Sequence, residues 1–262
     1  EASLAYRIEG PENAPLVTML HSLASNSDLW NVEAQALSQH YRVLRIDFRG
    51  HGRSTGGGDD FDLPLLASDI LAVWDNLGIQ QSAVVGLSLG GMLALYLGLH
   101  HAERTTCLVA ADCRSDAPPM FVSLWDGRQQ MLNNEGMDAI VAATLPTWLT
   151  APTLEQGGAI VDTVRALIKA TSHDGYMGAT RALQRLAVRP DLPNMTVPVR
   201  YIVGAQDGIH PPARRDMVEA TPSADLIEIA DASHLANLEQ PAAFLAALEP
   251  FLAAHLSQGS AA

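Results

Sequence analysis

A glycine-flanked serine between a short apolar run and a helical pattern constrains the fold more than any other part of the sequence. Ser82–Leu87 predicts a buried strand and Leu89–His101 predicts a helix. Between them the chain reads Gly86-Leu87-Ser88-Leu89-Gly90, the G-x-S-x-G pattern of a serine on a sharp strand-to-helix turn. Glycine fits both flanks because side chains there would meet neighbouring backbone. The turn therefore presents Ser88 as a candidate nucleophile, next to a helix start whose N–H groups favour negative charge.

Strand and helix patterns alternate on both sides of this turn, which predicts a mostly parallel sheet flanked by helices. Asp28 is the predicted N-cap of the first helix. The predicted strands are Ser3–Glu9, Leu16–Leu20, Arg42–Asp47, Ser82–Leu87, Thr105–Ala111, Val199–Gly204 and Asp225–Ala230. The predicted helices of this alternating part are Asp28–Gln39, Leu65–Leu77, Leu89–His101, Pro211–Ala220 and Ala242–His255.

The stretch between the fifth and sixth predicted strands has a different pattern. Ala117–Arg189 contains helical segments, prolines and glycines but no convincing strand, and strand-bearing segments precede and follow it. We therefore expect an α/β core over residues 1–113 and 191–257, with a helical cap inserted over 114–190. Residues 258–262 are expected to form a flexible tail.

The charge balance argues against nucleic-acid and membrane partners. The chain of 262 residues has 16 Lys and Arg against 29 Asp and Glu, a net charge of −13. Such a surface repels phosphate backbones and anionic lipid, and no apolar run approaches the roughly 18 residues of a membrane span. No signal peptide is visible, so the expected location is cytoplasmic and the expected partner is a small-molecule substrate. The sequence leaves the oligomeric state open.

Cofactor and metal motifs are absent from the sequence, and none is expected. Cys107 and Cys113 are too few for a disulfide framework and have no metal-ligand spacing, so we expect two reduced core thiols.

Loops that follow later strands supply the partners a nucleophilic serine requires. In this type of fold the chain order is serine, then acid, then histidine. His234 follows the strand Asp225–Ala230, which makes it the candidate base, and Asp207 follows the strand Val199–Gly204. Asp112 is the rival acid because it directly follows another predicted strand. We favour the triad Ser88, His234 and Asp207, and Asp112 stays the alternative to Asp207.

Two backbone N–H groups are candidates for an oxyanion hole. Leu89 follows the nucleophile, and Leu23 lies in the loop after the strand Leu16–Leu20. His21 in the same loop is expected to have a structural role. The octapeptide Asp47-Phe48-Arg49-Gly50-His51-Gly52-Arg53-Ser54 is expected to form a buried polar turn that braces the active-site loops.

In their motifs and their order along the chain, these segments resemble the α/β-hydrolase superfamily, and more narrowly the 3-oxoadipate enol-lactone hydrolases. The narrower resemblance rests on Arg42-Val43-Leu44-Arg45, Gly86-Leu87-Ser88-Leu89-Gly90-Gly91-Met92, Glu135-Gly136-Met137 and Ser233-His234-Leu235-Ala236-Asn237-Leu238-Glu239. The resemblance implies the α/β-hydrolase fold with an eight-stranded sheet. It further implies that the substrate is a small anionic enol-lactone from aromatic catabolism, opened through an acyl-enzyme.

Four residues in or next to the expected cap are candidates for substrate binding. Trp125 and Trp148 could line the pocket, and Arg114 and Arg128 could pair with a substrate carboxylate. The alternative for both arginines is a solvated cap face.

Other functions stay open at this point. A carboxylesterase or a carbon–carbon bond hydrolase would use the same triad. A cofactor-free dioxygenase or a non-catalytic ligand receptor could use the same fold.

Overall fold

Seven strands form one sheet in the computed structural model, which describes residues 2–56, 58–208 and 213–256. The strands are β1 (Tyr6–Glu9), β2 (Leu16–Leu20), β3 (Arg42–Ile46), β4 (Ser82–Leu87), β5 (Thr105–Ala111), β6 (Val199–Gly204) and β7 (Asp225–Ile229). Their order across the sheet is β1-β3-β2-β4-β5-β6-β7. β1 pairs antiparallel with β3, and every other neighbouring pair runs parallel.

Helices connect the strands and cover the sheet. They are α1 (Asn31–Leu37), α2 (Leu63–Asn76), α3 (Leu89–His100), α4 (Pro119–Glu135), α5 (Met137–Trp148), α6 (Ala151–Gln156), α7 (Ala159–Lys169), α8 (His173–Gln184), α9 (Ala213–Ala220), α10 (Ala236–Glu239) and α11 (Pro241–His255). All residues of β4 are buried, as expected where a parallel strand is covered on both faces. Among the described residues, no helix has the length and apolar character needed to cross a bilayer.

The predicted fold class is confirmed, with two corrections. The sheet of the described residues has seven strands, where the resemblance implied eight; the sequence itself offered seven strand patterns, and Ser3 makes only an isolated bridge to Thr55. Asp28 is not the N-cap of a helix that begins there. The side chain of Asn26, in extended conformation, accepts a hydrogen bond from the Asp28 N–H and caps a short 3₁₀ helix, after which α1 begins at Asn31.

Five helices, α4 to α8, lie between β5 and β6, in the stretch expected to form the cap. α4 packs against α5 and α8, and α5 packs against α7. An isolated bridge between Asp116 and Ala187 joins the two ends of the stretch. Its division from the core as a separate cap remains a prediction. Pro211, where a helix was expected to begin, and the predicted tail over 258–262 lie outside the described residues.

Close contacts join this helical stretch to the turn that follows β3. A Cβ added to Gly175 in α8 would lie 2.2 Å from the carbonyl oxygen of Gly50, which follows β3. The same oxygen accepts hydrogen bonds from the backbone N–H and the hydroxyl of Ser172. The close approach of the two backbones thus depends on glycine at position 175.

Candidate active site

The turn at Ser88 has the geometry predicted from its sequence. Ser88 has φ 56° and ψ −115°, a left-handed conformation that is unusual for a residue other than glycine. A Cβ on Gly86 would lie 2.0 Å from the carbonyl oxygen of Gly90, and one on Gly90 would lie 2.1 Å from the carbonyl oxygen of Leu20. The Ser88 N–H donates to the Ala111 carbonyl at 2.8 Å. Sterics therefore require both flanking glycines, and the neighbouring strand holds the serine.

A histidine and an aspartate meet at the ends of β6 and β7. His234 Nδ1 lies 3.1 Å from Asp207 Oδ2, and both side chains are buried. Since a carboxylate only accepts hydrogen bonds, Nδ1 is the donor in this contact. Gly204 at the end of β6 allows the two loops to meet, because a Cβ there would lie 2.0 Å from the carbonyl oxygen of Ser233.

Asp112, the alternative acid, is also buried at this edge of the sheet. Its Oδ1 accepts a hydrogen bond from the Gly204 N–H at 2.8 Å, and its φ is 41°. Asp112 thus stabilises the end of the strand that leads to Asp207. The hydrogen bond between Asp207 and His234 favours Asp207 as the orienting acid.

Ser88 and His234 open into one small, mostly apolar cavity. It is lined by Leu23, Ser88, Met92, Phe121, Trp125, Trp148, Leu183 and His234. The ring centroids of Trp148 and His234 are 5.7 Å apart. The predicted nucleophile and base therefore share a cavity with both of the tryptophans expected to line it.

A second cavity shares Leu23, Trp125 and Trp148 with the first and extends to Arg128. Arg128 Nη2 donates to the Ala143 carbonyl at 2.7 Å. Arg128 Nη1 and Trp125 Nε1 are buried and make no hydrogen bond with the described residues. Two N–H donors of residues that line the second cavity thus have no acceptor among the described residues.

Arg114 does not line either of these two cavities. Its guanidinium donates to the backbone oxygen and the carboxylate of Asp116 at 2.6 and 3.2 Å. It also lies 4.3 Å from the ring centroid of Phe121. The structure thus places Arg114 behind the cavity wall, and sequence alone did not separate it from Arg128 because only the packing of α4 distinguishes the two.

The two oxyanion-hole candidates lie beside Ser88. Leu89 is the first residue of α3, so its N–H belongs to a helical turn that has no intrahelical acceptor. Leu23 follows β2 and lines the cavity with Ser88. Their catalytic role stays a prediction.

His21 stabilises the loop that carries Leu23. The Phe48 N–H donates to His21 Nε2 at 2.9 Å, so Nδ1 carries the proton and donates to the Ser22 carbonyl at 2.7 Å. Burial lowers the pKa of His21 to about 3 and that of the nearby His51 to about 4. Both rings are therefore neutral at pH 7 and serve as structural hydrogen-bonding groups.

The carboxylate of Asp47 stabilises the turn that follows β3 through hydrogen bonds. It accepts hydrogen bonds from the backbone N–H groups of Ser27 at 2.7 Å and Arg53 at 2.8 Å. The Ser54 hydroxyl donates to the Asp47 carbonyl at 2.6 Å. This is the buried polar turn expected from the octapeptide.

Sequence reasoning gave no role to Glu239, although the resemblance included it. Its carboxylate connects the loop of His234 to the start of α6 through hydrogen bonds to Ser233, Thr150 and Thr153. No pattern in the sequence brings residues 150 and 239 together, so only the fold could show this contact.

Comparison with known proteins places the chain in a family. The profile of the alpha/beta hydrolase family matches residues 19–248. 3-Oxoadipate enol-lactonase 1 of Acinetobacter baylyi is 30% identical over 250 residues, which cover 95% of this chain and 93% of that protein.

Two solved structures superpose over nearly the whole chain. The enol-lactonase from Burkholderia xenovorans LB400 has a TM-score of 0.90 at 32% identity, covering 95% of this chain and 96% of that chain. A hydrolase from Pseudomonas aeruginosa PA01 has a TM-score of 0.92 at 32% identity, covering 96% of this chain and 94% of that chain. The predicted family is confirmed: this chain belongs to the α/β hydrolase family.

Proposed function

We propose that this chain is a serine hydrolase that opens a small, carboxylate-bearing lactone or ester, with 3-oxoadipate enol-lactone as the preferred substrate. The observation that carries the proposal is the shared cavity of Ser88, on its strained turn, and His234, paired with Asp207. The enol-lactonases at 30% and 32% identity support the substrate class.

The proposed reaction proceeds through an acyl-enzyme. Ser88 Oγ attacks the lactone carbonyl while His234 Nε2 takes its proton, and the N–H groups of Leu23 and Leu89 stabilise the oxyanion. The ring C–O bond then breaks, and the leaving enolate oxygen receives the proton from His234. Asp207 keeps the imidazole in the required tautomer and stabilises its protonated form. Water, deprotonated by His234, then attacks the acyl carbonyl, the bond to Ser88 Oγ breaks, and Oγ takes the proton back from His234. The released enol tautomerises to the ketone.

The second cavity supports a substrate that carries a carboxylate. Arg128 Nη1 and Trp125 Nε1 are buried donors that lack a protein acceptor among the described residues. A carboxylate placed there would accept both, and hydrogen bonds between a guanidinium and a carboxylate are strong because both partners are charged. The apolar walls of Leu23 and Trp148 would hold the lactone ring between this end and Ser88.

Hydrolysis of a substrate panel by wild type, Ser88→Ala and Arg128→Met tests the proposal. We expect turnover of 3-oxoadipate enol-lactone that Ser88→Ala lowers by at least about 10⁴-fold. Arg128→Met should raise KM for this lactone by about tenfold or more and leave neutral methyl esters nearly unchanged. Arg165→Met, at an exposed position of α7, is the matched control and should behave as wild type.

Other outcomes select the alternatives. Turnover of simple esters without the lactone would indicate a carboxylesterase with the same triad. Activity that survives in Ser88→Ala would refute the serine mechanism. No hydrolysis by wild type would direct attention to oxygen consumption or ligand binding, the signatures of the dioxygenase and receptor alternatives.

A further inference from the structure

The carboxylate of Glu239 connects the loop of His234 to the start of α6 through hydrogen bonds. Glu239 is the last residue of α10, and its Oε2 accepts a hydrogen bond from the Ser233 N–H at 2.7 Å. Its Oε1 accepts from the Thr150 N–H at 2.8 Å and from the hydroxyls of Thr150 and Thr153 at 2.8 and 2.6 Å. Thr150 is also the N-cap of α6. A single side chain thus joins the residue preceding His234 to the start of a cap helix.

Further contacts show that this loop is held from two sides. The Leu235 N–H donates to the Trp148 carbonyl at 3.2 Å, and the Trp148 ring lies beside His234. On the other side the Ser233 carbonyl packs against Gly204. Leu235 therefore bonds directly to the segment from Trp148 to Thr153, and Ser233 is connected to the same segment through Glu239. A shift of that segment would move the imidazole.

The donors around Glu239 match the two acceptor oxygens of its carboxylate group. Two backbone N–H groups and two hydroxyls point at the two oxygens, and a carboxylate offers acceptors only. A glutamine of the same shape would place its NH₂ group against either the Ser233 N–H or the Thr150 N–H. In both orientations one backbone donor loses its acceptor and faces another donor.

We propose that Glu239 is a positioning residue: it keeps His234 aligned with Ser88 by fastening the histidine loop to the start of α6. The inference rests on the proposed function of Ser88 and His234 as nucleophile and base. Glu239 does not line the cavity that contains Ser88, so its effect must pass through the loop. Replacing the Glu239 carboxylate should therefore slow the chemical steps more than it weakens substrate binding.

Steady-state kinetics of Glu239→Gln on the substrate that wild type turns over tests this. We expect kcat to fall about 10- to 100-fold with KM within about threefold, because small misplacements of a catalytic group cost rate rather than affinity. The matched control is Glu155→Gln, which removes the same charge from an exposed position of α6 and should retain wild-type kinetics.

A second pair of variants covers the case in which Glu239→Gln fails to fold. Thr153→Val removes one hydroxyl donor to Glu239, and Thr153→Ser keeps it. We expect kcat to fall about three- to tenfold for the valine variant and to recover in the serine variant. Equal kcat values for the two would overturn the proposal.

The rate at which a phosphonate ester labels Ser88 provides a readout that stability alone would not change. In folded Glu239→Gln, confirmed by circular dichroism, labelling should slow in step with kcat. Wild-type labelling and kcat in that variant would overturn the inference while the serine mechanism stands. A wild type that does not react with phosphonate, or a Ser88→Ala variant that retains activity, would instead refute the proposed function.

Discussion

At the scale of single residues, the backbone of Ser88 is held in a conformation that the residue would not adopt alone. A non-glycine residue in such a region typically costs about 1–3 kcal/mol, which the surrounding structure must offset. The hydrogen bond to Ala111 and the close packing of Gly86 and Gly90 provide that support. Strain at this position is therefore a consequence of placing the hydroxyl above the strand ends.

We expect Gly90→Ala to be among the most damaging small substitutions in the chain. Its Cβ would lie 2.1 Å from the carbonyl oxygen of Leu20, which is backbone of a central strand and cannot move aside. The stability loss should exceed about 3 kcal/mol, measured by urea unfolding, with loss of Ser88 labelling by phosphonate.

Gly127→Ala is the matched control for this prediction. Gly127 lies within α4, and a Cβ there meets nothing within 4 Å. The same substitution should therefore stabilise the protein by about 0.5–1 kcal/mol, since alanine favours helix interiors. Similar effects of the two substitutions would contradict the steric argument.

At the scale of elements, the central strands were predictable and the contacts between distant elements were not. β2, β4, β5 and β6 have the predicted bounds because each is a mostly apolar and mostly buried run that begins after a proline or a polar residue. The segments on either side of Ser88 also follow local pattern, which is why the turn could be predicted.

The stretch from α4 to α8 could be predicted from the sequence only as helical. α5 contains Pro146, and α4 has few buried residues, so the apolar period that marks separate helices is weak there. Whether Arg114 or Arg128 reaches the cavity depends on how α4 packs, and Glu239 meets Thr150 across 89 residues of sequence. Long-range packing of this kind leaves no local signal.

A buried carboxyl lies at the contact between α1 and α10. Glu33 in α1 is fully buried, and neither of its oxygens makes a hydrogen bond of standard geometry with the described residues. Asn237 in α10 donates to the Leu29 carbonyl, just before α1. Burial raises the pKa of Glu33 to about 7, so folding favours its protonated form.

The sign of the resulting pH dependence follows from linkage. The folded state binds this proton more tightly than the unfolded state does, so the stabilising contribution is full below about pH 4.5 and is lost as pH rises through about 7. Glu33→Gln, which cannot ionise, should remove this loss and gain up to about 3 kcal/mol over wild type at pH 8 relative to pH 5. Urea unfolding at both pH values measures it, and parallel pH profiles for the two proteins would contradict the argument.

At the scale of the whole molecule, the overall charge and the cavity favour opposite ligands. The chain carries a net charge of −13, yet Arg128 lines the second cavity, and its Nη1 makes no hydrogen bond with the part of the chain that the structure describes. The negative surface would therefore repel an anionic substrate as it approaches, and Arg128 would attract it once it is inside the cavity. Repulsion by the surface charge acts over a longer distance than attraction by Arg128, so the dependence of the rate on salt can distinguish the two.

Salt should accelerate the capture of an anionic lactone and leave a neutral ester unaffected. Repulsion from the surface acts through solvent and is screened beyond a Debye length of about 10 Å at 0.1 M salt, while a pair inside the cavity is screened much less. We expect kcat/KM for 3-oxoadipate enol-lactone to rise about two- to threefold between about 20 and 300 mM NaCl. A neutral methyl ester should show no change of kcat/KM with salt, which controls for salt effects on the enzyme itself.

The variant Arg128→Met should have a lower kcat/KM for the lactone that still rises with salt, because the variant loses the local attraction and retains the surface charge. A fall in kcat/KM with salt for the lactone would mean that attraction by Arg128 already governs the approach, against the balance of charges argued here.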